Sequence, residues 1–267
     1  MKTKPHTYFF RIQYLGLGYH GWQKQPNVKT IQGQLERVLG WVLGHDQFNI
    51  LGASRTDTGV SCQNGAFELF SSQILDPQAT MQALNQMLPA HIRILEAHPI
   101  SPAFNIIQHV YQKEYHYHFS FGEKFHPFGA ATLAYFPENL NLQDMIEGAG
   151  IFQGRHDFRR FCIKPNEETI FLRDILVSEI IETAPFISAY HPQQSFCFRV
   201  KSSGFLRNQV RLMMGALWAV GRGDLSLHDL EAALESEIIS PLCRKAPANG
   251  LILHDIEFQD LSSFLLD

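Results

Sequence analysis

No two of the four cysteines, Cys62, Cys162, Cys197 and Cys243, form a C-x-x-C pair, and none stands at zinc-finger spacing from a histidine. That excludes a disulfide-stapled scaffold and any zinc module legible from spacing, and leaves four free thiols in a reducing compartment as the expectation. Long apolar runs are missing too, so no membrane span is expected. The opening Met1-Lys2-Thr3-Lys4-Pro5-His6 runs straight into a strand-like stretch without the apolar core and cleavage site of a secretory leader, so a cytoplasmic location is expected. Basic charge is also short: 22 Lys+Arg against 26 Asp+Glu leave a net −4. A protein that grips RNA is expected to show a basic surface, so composition alone argues mildly against a nucleic-acid partner and is compatible with one only if the arginines and lysines are gathered in one groove. What the chain has is core: 45% of its 267 residues are hydrophobic, enough for one large domain or two of ordinary size.

Periodicity sorts that material. Tyr8 to Tyr14, Phe48 to Leu51, Gly65 to Phe70 and Ile92 to Ala97 read as strands. Between them, Ile31, Leu35, Val38, Leu39, Val42 and Leu43 mark a helix stopped at Gly44, and Asp76-Pro77 caps a second helix through Leu88. Ser101-Pro102-Ala103-Phe104 is the expected joint, dividing the chain into residues 1–103 and 104–267. Beyond it, Val110 to Phe119, Ile170 to Ile181, Ser195 to Val200 and Ile252 to Phe258 read as strands. Helices are expected around Leu142 to Phe152, from Phe205 to Gly221, and after the capping box at Ser226. Strands and helices alternate with one helix per pair of strands, an α+β pattern with the helices on one sheet face.

Gly16-Leu17-Gly18-Tyr19-His20-Gly21 matches the dinucleotide fingerprint G-x-G-x-x-G, but no helix opens within the glycines, since Pro26 intervenes and the helical pattern starts only near Thr30. A loop is the better reading, and a dinucleotide-dependent oxidoreductase the weakest alternative. In Leu51 to Val60, Arg55 and Asp57 are two residues apart between Gly52 and Gly59. An extended backbone would put both on one side, at the lip of a turn. The competing reading is an Asx turn in which Asp57 merely bonds the backbone two residues on. In Val110 to Phe119, Tyr115 and Tyr117 share one face, and His116 and His118 the other. Two exposed histidines are expected, because nothing near in the chain offers a third metal ligand. Gly154-Arg155-His156-Asp157-Phe158-Arg159-Arg160-Phe161 reads as a basic and aromatic loop. Arg207 and Arg211 are expected one turn apart on a helix beside the stripe Leu206, Val210, Met213 and Leu217.

Four of these segments together resemble the TruA family of tRNA pseudouridine synthases. Gly52-Ala53-Ser54-Arg55-Thr56-Asp57-Thr58-Gly59-Val60 is similar to G-x-G-R-T-D-A-G-V, departing at Ser54 and Thr58. Lys113-Glu114-Tyr115-His116-Tyr117 resembles a basic residue, any residue, Tyr, basic, Tyr. Phe205 to Arg211 resembles the start of F-L-x-x-x-V-R-x-x-x-G, and Ala246-Pro247-Ala248-Asn249-Gly250-Leu251 resembles A-P-x-x-G-L. Tyr19, Gly21, Trp22 and Gln23 fit the family's loop over the cleft. The resemblance implies two α+β domains related by a pseudo-two-fold, with antiparallel sheets joined into one continuous sheet and a central cleft. It implies a homodimer that isomerises uridines in the tRNA anticodon stem-loop, with no cofactor and no metal. Asp57 would be the catalytic carboxylate, Arg211 the cation that keeps it ionised, Tyr115 the active-site tyrosine and Arg55 the side chain filling the gap left by the extruded base. Tyr19, Trp22, Gln23, Lys113 and Arg207 would contact the RNA. A catalytically silent RNA-binding member of the fold is the other alternative.

Overall fold

In the computed structural model, which describes residues 6–182 and 190–266, aromatic and β-branched alternation yields β1 (His6–Tyr14). Helix α1 (Ile31–Leu43) starts where Thr30 Oγ1 accepts the Gly33 N–H and stops at Gly44 in the left-handed region (φ 71°), burying Ile31, Leu35, Val38 and Leu39. Strands β2 (Phe48–Gly52) and β3 (Ser61–Ser71) follow. Asp76 then caps α2 (Pro77–Met87) by accepting the Gln78 and Ala79 N–H groups, and β4 (Ile92–Pro99) closes the segment. β1 pairs antiparallel with both β3 and β4, and β2 with β3. Met1 to Pro5, read above for the lack of a leader, lie outside the described residues. No helix among those described is long and apolar enough to cross a membrane.

Downstream come β5 (Val110–Phe121), a 3₁₀ turn (Pro127–Ala131), β6 (Ala134–Phe136), α3 (Leu142–Ile151) and β7 (Gly154–Asp157). After them lie β8 (Leu172–Glu182), β9 (Phe196–Ser202), α4 (Gln209–Arg222), α5 (Leu227–Ala233), β10 (Leu251–Phe258) and α6 (Leu261–Phe264). β5, β9, β8 and β7 form an antiparallel run in that order, while β6 pairs in parallel with β5. The chain divides into Met1–Tyr111 with Leu253–Asp267, and Gln112–Ile252. The division thus falls within β5 rather than at Ala103, and the last strand returns to the first unit, where β10 neighbours β3. A joint read from a proline-containing turn misses this, because a continuous strand carries no local signal of a boundary.

Two further expectations change. Gly154 to Asp157 is not a loop but β7, paired residue by residue with β8, followed by a 3₁₀ turn at Arg159–Phe161. The helix expected from Phe205 begins only at Gln209, because Asn208 adopts φ 63° and breaks the helical run. Arg207 therefore precedes α4 instead of stacking one turn before Arg211.

The first unit holds a carboxylate that resists its surroundings. Glu68, central in β3, is 1% exposed; one oxygen accepts the Ile106 N–H at 3.1 Å and the other has no partner among the described residues. Burial pushes this carboxyl up to about 7 from 4.5. Between those values the folded chain holds a proton that the unfolded chain has released, so stability falls as pH rises through the window and levels off above it. Glu68→Gln keeps an oxygen for Ile106 and removes the charge. It should be more stable than wild type above about pH 7, by ~1–2 kcal/mol once solvent screening is discounted. The two should converge below about pH 4.5, which denaturant midpoints across that range will check. Parallel profiles for the two proteins would mean that Glu68 is ionised throughout.

Candidate active site

Asp57 sits on the loop between β2 and β3, and the turn that holds it is closed by backbone: the Val60 N–H donates to the Asp57 carbonyl at 3.1 Å. The carboxylate is thus not spent on an Asx turn; the side chain is half-buried, while Arg55 points into solvent. The loop is clamped by the segment after β1. Trp22 N–H donates to Thr56 O at 3.1 Å, Gly59 N–H to Tyr19 O at 3.1 Å, and the Tyr14 hydroxyl meets Thr56 Oγ1 at 2.8 Å. Gly21 permits the contact: its φ is 85°, and a Cβ there would lie 2.4 Å from the Thr56 carbonyl. Gly52 performs the same service for the Trp22 indole, whose atoms come within 2.4 Å of where a Cβ would stand. Gly21, the last glycine of the dinucleotide-like fingerprint, therefore brings two loops into backbone contact.

Tyr19 and Trp22 are 6% and 3% exposed, and the Tyr19 hydroxyl bonds His91 Nε2 at 2.7 Å. Both rings hold the loop in place. Gln23 is exposed and bonds Gln32 at 3.3 Å.

The second unit assembles the other half of the expected set. On β5, Lys113, Tyr115 and Tyr117 share a face, and Tyr115 meets Phe205 edge-on at 5.2 Å. Burial pulls the Lys113 ammonium down to about 8. Arg211, far from being a solvated helix residue, is 8% exposed. Its Nε donates to Ala246 O at 2.8 Å, and the Ala246 N–H returns a bond to Arg211 O at 2.9 Å. The Tyr117 hydroxyl donates to Pro247 O at 2.9 Å, so the Ala246-Pro247 segment anchors both α4 and β5. Burial pushes the Tyr117 phenol up, with the Arg211 guanidinium opposing the shift. The A-P-x-x-G-L motif, matched in the sequence without a role, thereby acquires one: it orients Arg211 through its backbone. Phe205, beside Tyr115, is a residue that sequence reading gave no role. Arg207 is exposed, and its carbonyl accepts the Ile163 N–H at 3.2 Å.

The opposite face of β5 corrects the histidine reading. His118 is 5% exposed and the His116 side chain 16%. A third potential ligand does stand beside them: β5–β9 pairing sets Cys197 opposite His118. All four cysteines are free thiols.

Comparison with known proteins now bears on this arrangement. Residues 149–259, which include Arg211 and Ala246 to Leu251, match a family model described as tRNA pseudouridine synthase. The tRNA pseudouridine synthase A of Exiguobacterium sibiricum is 32% identical over 249 residues, covering 93% of this chain and 95% of that protein. The tRNA pseudouridine synthase A 2 of Bacillus cereus is 32% identical over 254 residues, covering 95% and 100%. For tRNA pseudouridine synthase A of Caldicellulosiruptor bescii the figures are 31% over 248 residues, 92% and 97%. These matches run almost end to end and so include the Asp57 loop and the Tyr115 strand that lie outside the family model. With Asp57 on a backbone-clamped loop and Arg211 buried against Ala246, the chain belongs to the tRNA pseudouridine synthase A family of isomerases.

Proposed function

We propose that this enzyme converts uridine to pseudouridine in the anticodon stem-loop of tRNA, working as a cytoplasmic homodimer whose isomerisation step uses no cofactor and no metal. Asp57, Tyr115 and Arg211 are the residues assigned to this chemistry. One observation carries the reading: the Asp57 carboxylate takes no part in closing its own turn, although the loop around it is locked at several points. A locked loop presenting an unspent carboxylate is what nucleophilic catalysis requires. The N1-to-ribose bond breaks, the base turns, and C5 joins the same sugar carbon while losing its hydrogen as a proton, so no electrons enter or leave. Arg211 is assigned as the cation of the chemistry, and Tyr115 as the platform for the target base. The exposed Arg55 fills the space that the base vacates.

The RNA backbone needs cations despite the net −4. Support comes from Arg173 and Arg207, whose charges both reach Cys162, and from Lys245, which bonds Asn208 next to Arg207 at 3.0 Å. Lys113 and Arg207 are assigned to phosphate contact, Gln23 to the loop rim, and Tyr19 and Trp22 act by holding the Asp57 loop. Incubation of purified protein with unmodified tRNA transcripts, followed by base-resolution mapping, should place pseudouridine in the anticodon stem-loop. Product only elsewhere would refute the site assignment, and no product would refute the activity. A monomer in sedimentation equilibrium would refute the dimer.

Loop clamping makes its own prediction. Gly21→Ala must push the Thr56 carbonyl and with it Asp57, at a backbone torsion that alanine disfavours. Turnover should fall about a hundredfold, the order expected for ~1 Å displacement of a reacting group, against a stability loss of ~1–3 kcal/mol. Single-turnover rates at a temperature where circular dichroism shows a folded chain will separate the two. A rate unchanged in folded Gly21→Ala would mean that the clamp does not position Asp57.

A further inference from the structure

The polar face of β5 carries a cluster that the uridine chemistry does not use. His116, His118 and Cys197 each offer one ligand atom, and the three atoms lie within 4.8 Å of one another. Two come from alternate residues of one strand, and the third from the residue opposite His118 on β9. Cys197 is 1% exposed and His118 5%. Two imidazoles and one thiol enclosed within a sheet face form a donor set of nitrogen and sulfur.

We infer that His116, His118 and Cys197 form a binding site for a borderline-soft divalent cation of the zinc class, bracing β5 against β9 on the face opposite Tyr115. The donor set selects the metal: thiolate with imidazole suits zinc or cobalt, whereas magnesium and calcium require oxygen. A second observation supports the site. His116 Nε2 lies 2.8 Å from Glu114 Oε1, and Glu114 is in turn fixed by Arg199 Nε at 2.6 Å. A carboxylate that accepts the N–H of one ring nitrogen fixes the orientation of the imidazole within the cluster. That is the carboxylate–histidine–metal arrangement found around many sites.

Tetrahedral ligand atoms around zinc or cobalt stand about 3.5 Å apart, so the side chains close in by roughly 1 Å on binding. The Cys197 thiol gives up its proton to solvent as the sulfur–metal bond forms, and no oxidation state changes. Three protein ligands leave one position for water. This site is separate from catalysis and does not depend on the assignment of Asp57.

The test uses the full-length protein, reduced and stripped of metal, titrated with cobalt(II). One equivalent should bind with the intense visible bands of tetrahedral cobalt and a near-ultraviolet thiolate-to-cobalt band, and zinc should displace both. Cys197→Ser should abolish the thiolate band, and His118→Gln should weaken binding at least about a hundredfold, in chains whose circular dichroism matches wild type. Glu114→Gln should weaken it about ten- to a hundredfold, the range for removing a partner of a metal-bound histidine. If Cys197→Ser does not fold, the wild-type spectrum and His118→Gln still decide. Weak octahedral bands with no thiolate transition in wild type would overturn the assignment. So would a thiolate band that survives Cys197→Ser, or affinity unaltered in His118→Gln.

Discussion

Asp57→Asn should abolish pseudouridine formation, by at least about a thousandfold in the single-turnover rate, the scale on which losing a nucleophile is felt. RNA affinity should stay within a few-fold of wild type, because cationic contacts to phosphate supply most of it and a carboxylate supplies none. The geometry makes the substitution clean. The turn is closed by the Asp57 carbonyl and clamped through Thr56, Gly59 and Trp22, all by groups that asparagine leaves untouched. Melting temperature should therefore hardly change, and loss of rate reports chemistry rather than folding. Substantial turnover by Asp57→Asn on a tRNA transcript would make Asp57 a turn residue and remove it from the mechanism.

Arg211→Lys should be nearly as severe, with a loss of about a hundredfold or more in rate, although the charge is kept. Were Arg211 a solvated helix residue, the change would move stability by less than about 0.5 kcal/mol and leave catalysis alone. It is instead buried, with Nε given to the Ala246 carbonyl at 2.8 Å. A lysine cannot hold that carbonyl and also present a planar pair of donors to a carboxylate. The unmet carbonyl should cost about 1–3 kcal/mol of stability. The loss of rate should exceed what that accounts for at temperatures where the variant is folded. Added guanidinium, which restores the fork without the tether, should recover part of the rate of Arg211→Ala and none of that of Asp57→Asn. Equal single-turnover rates for wild type and Arg211→Lys would exclude Arg211 from the active site.

What could be read before the structure was what the chain states locally. Thr30, Asp76 and Ser226 each mark a helix start through a bond spanning two or three residues, and Gly44 marks a helix end by its left-handed torsion, so these boundaries were legible. β6 and β7, three and four residues long, were not, because strands so short exist only through the partners that pair with them. The same limit governs the site. That Arg211 is buried and held by the Ala246 carbonyl is not visible locally, because Ala246 is remote in sequence. His116 and His118 read as a surface pair until β9 brings Cys197 to the same face. The glycines at 21 and 52 look like turn formers or nucleotide binders, whereas their purpose is to yield space to Thr56 and Trp22. Asn208 misled in the opposite direction, since nothing in a helical pattern announces a positive φ.

The most direct test of uridine isomerisation is tritium release from tRNA carrying [5-³H]uridine, because C5 cannot join the sugar without losing its hydrogen. Purified enzyme should release tritium from a tRNA transcript in step with the pseudouridine formed, and Asp57→Asn should release none while still binding the RNA. Binding by wild type with no tritium released would contradict the isomerase assignment and leave an RNA-binding protein in its place.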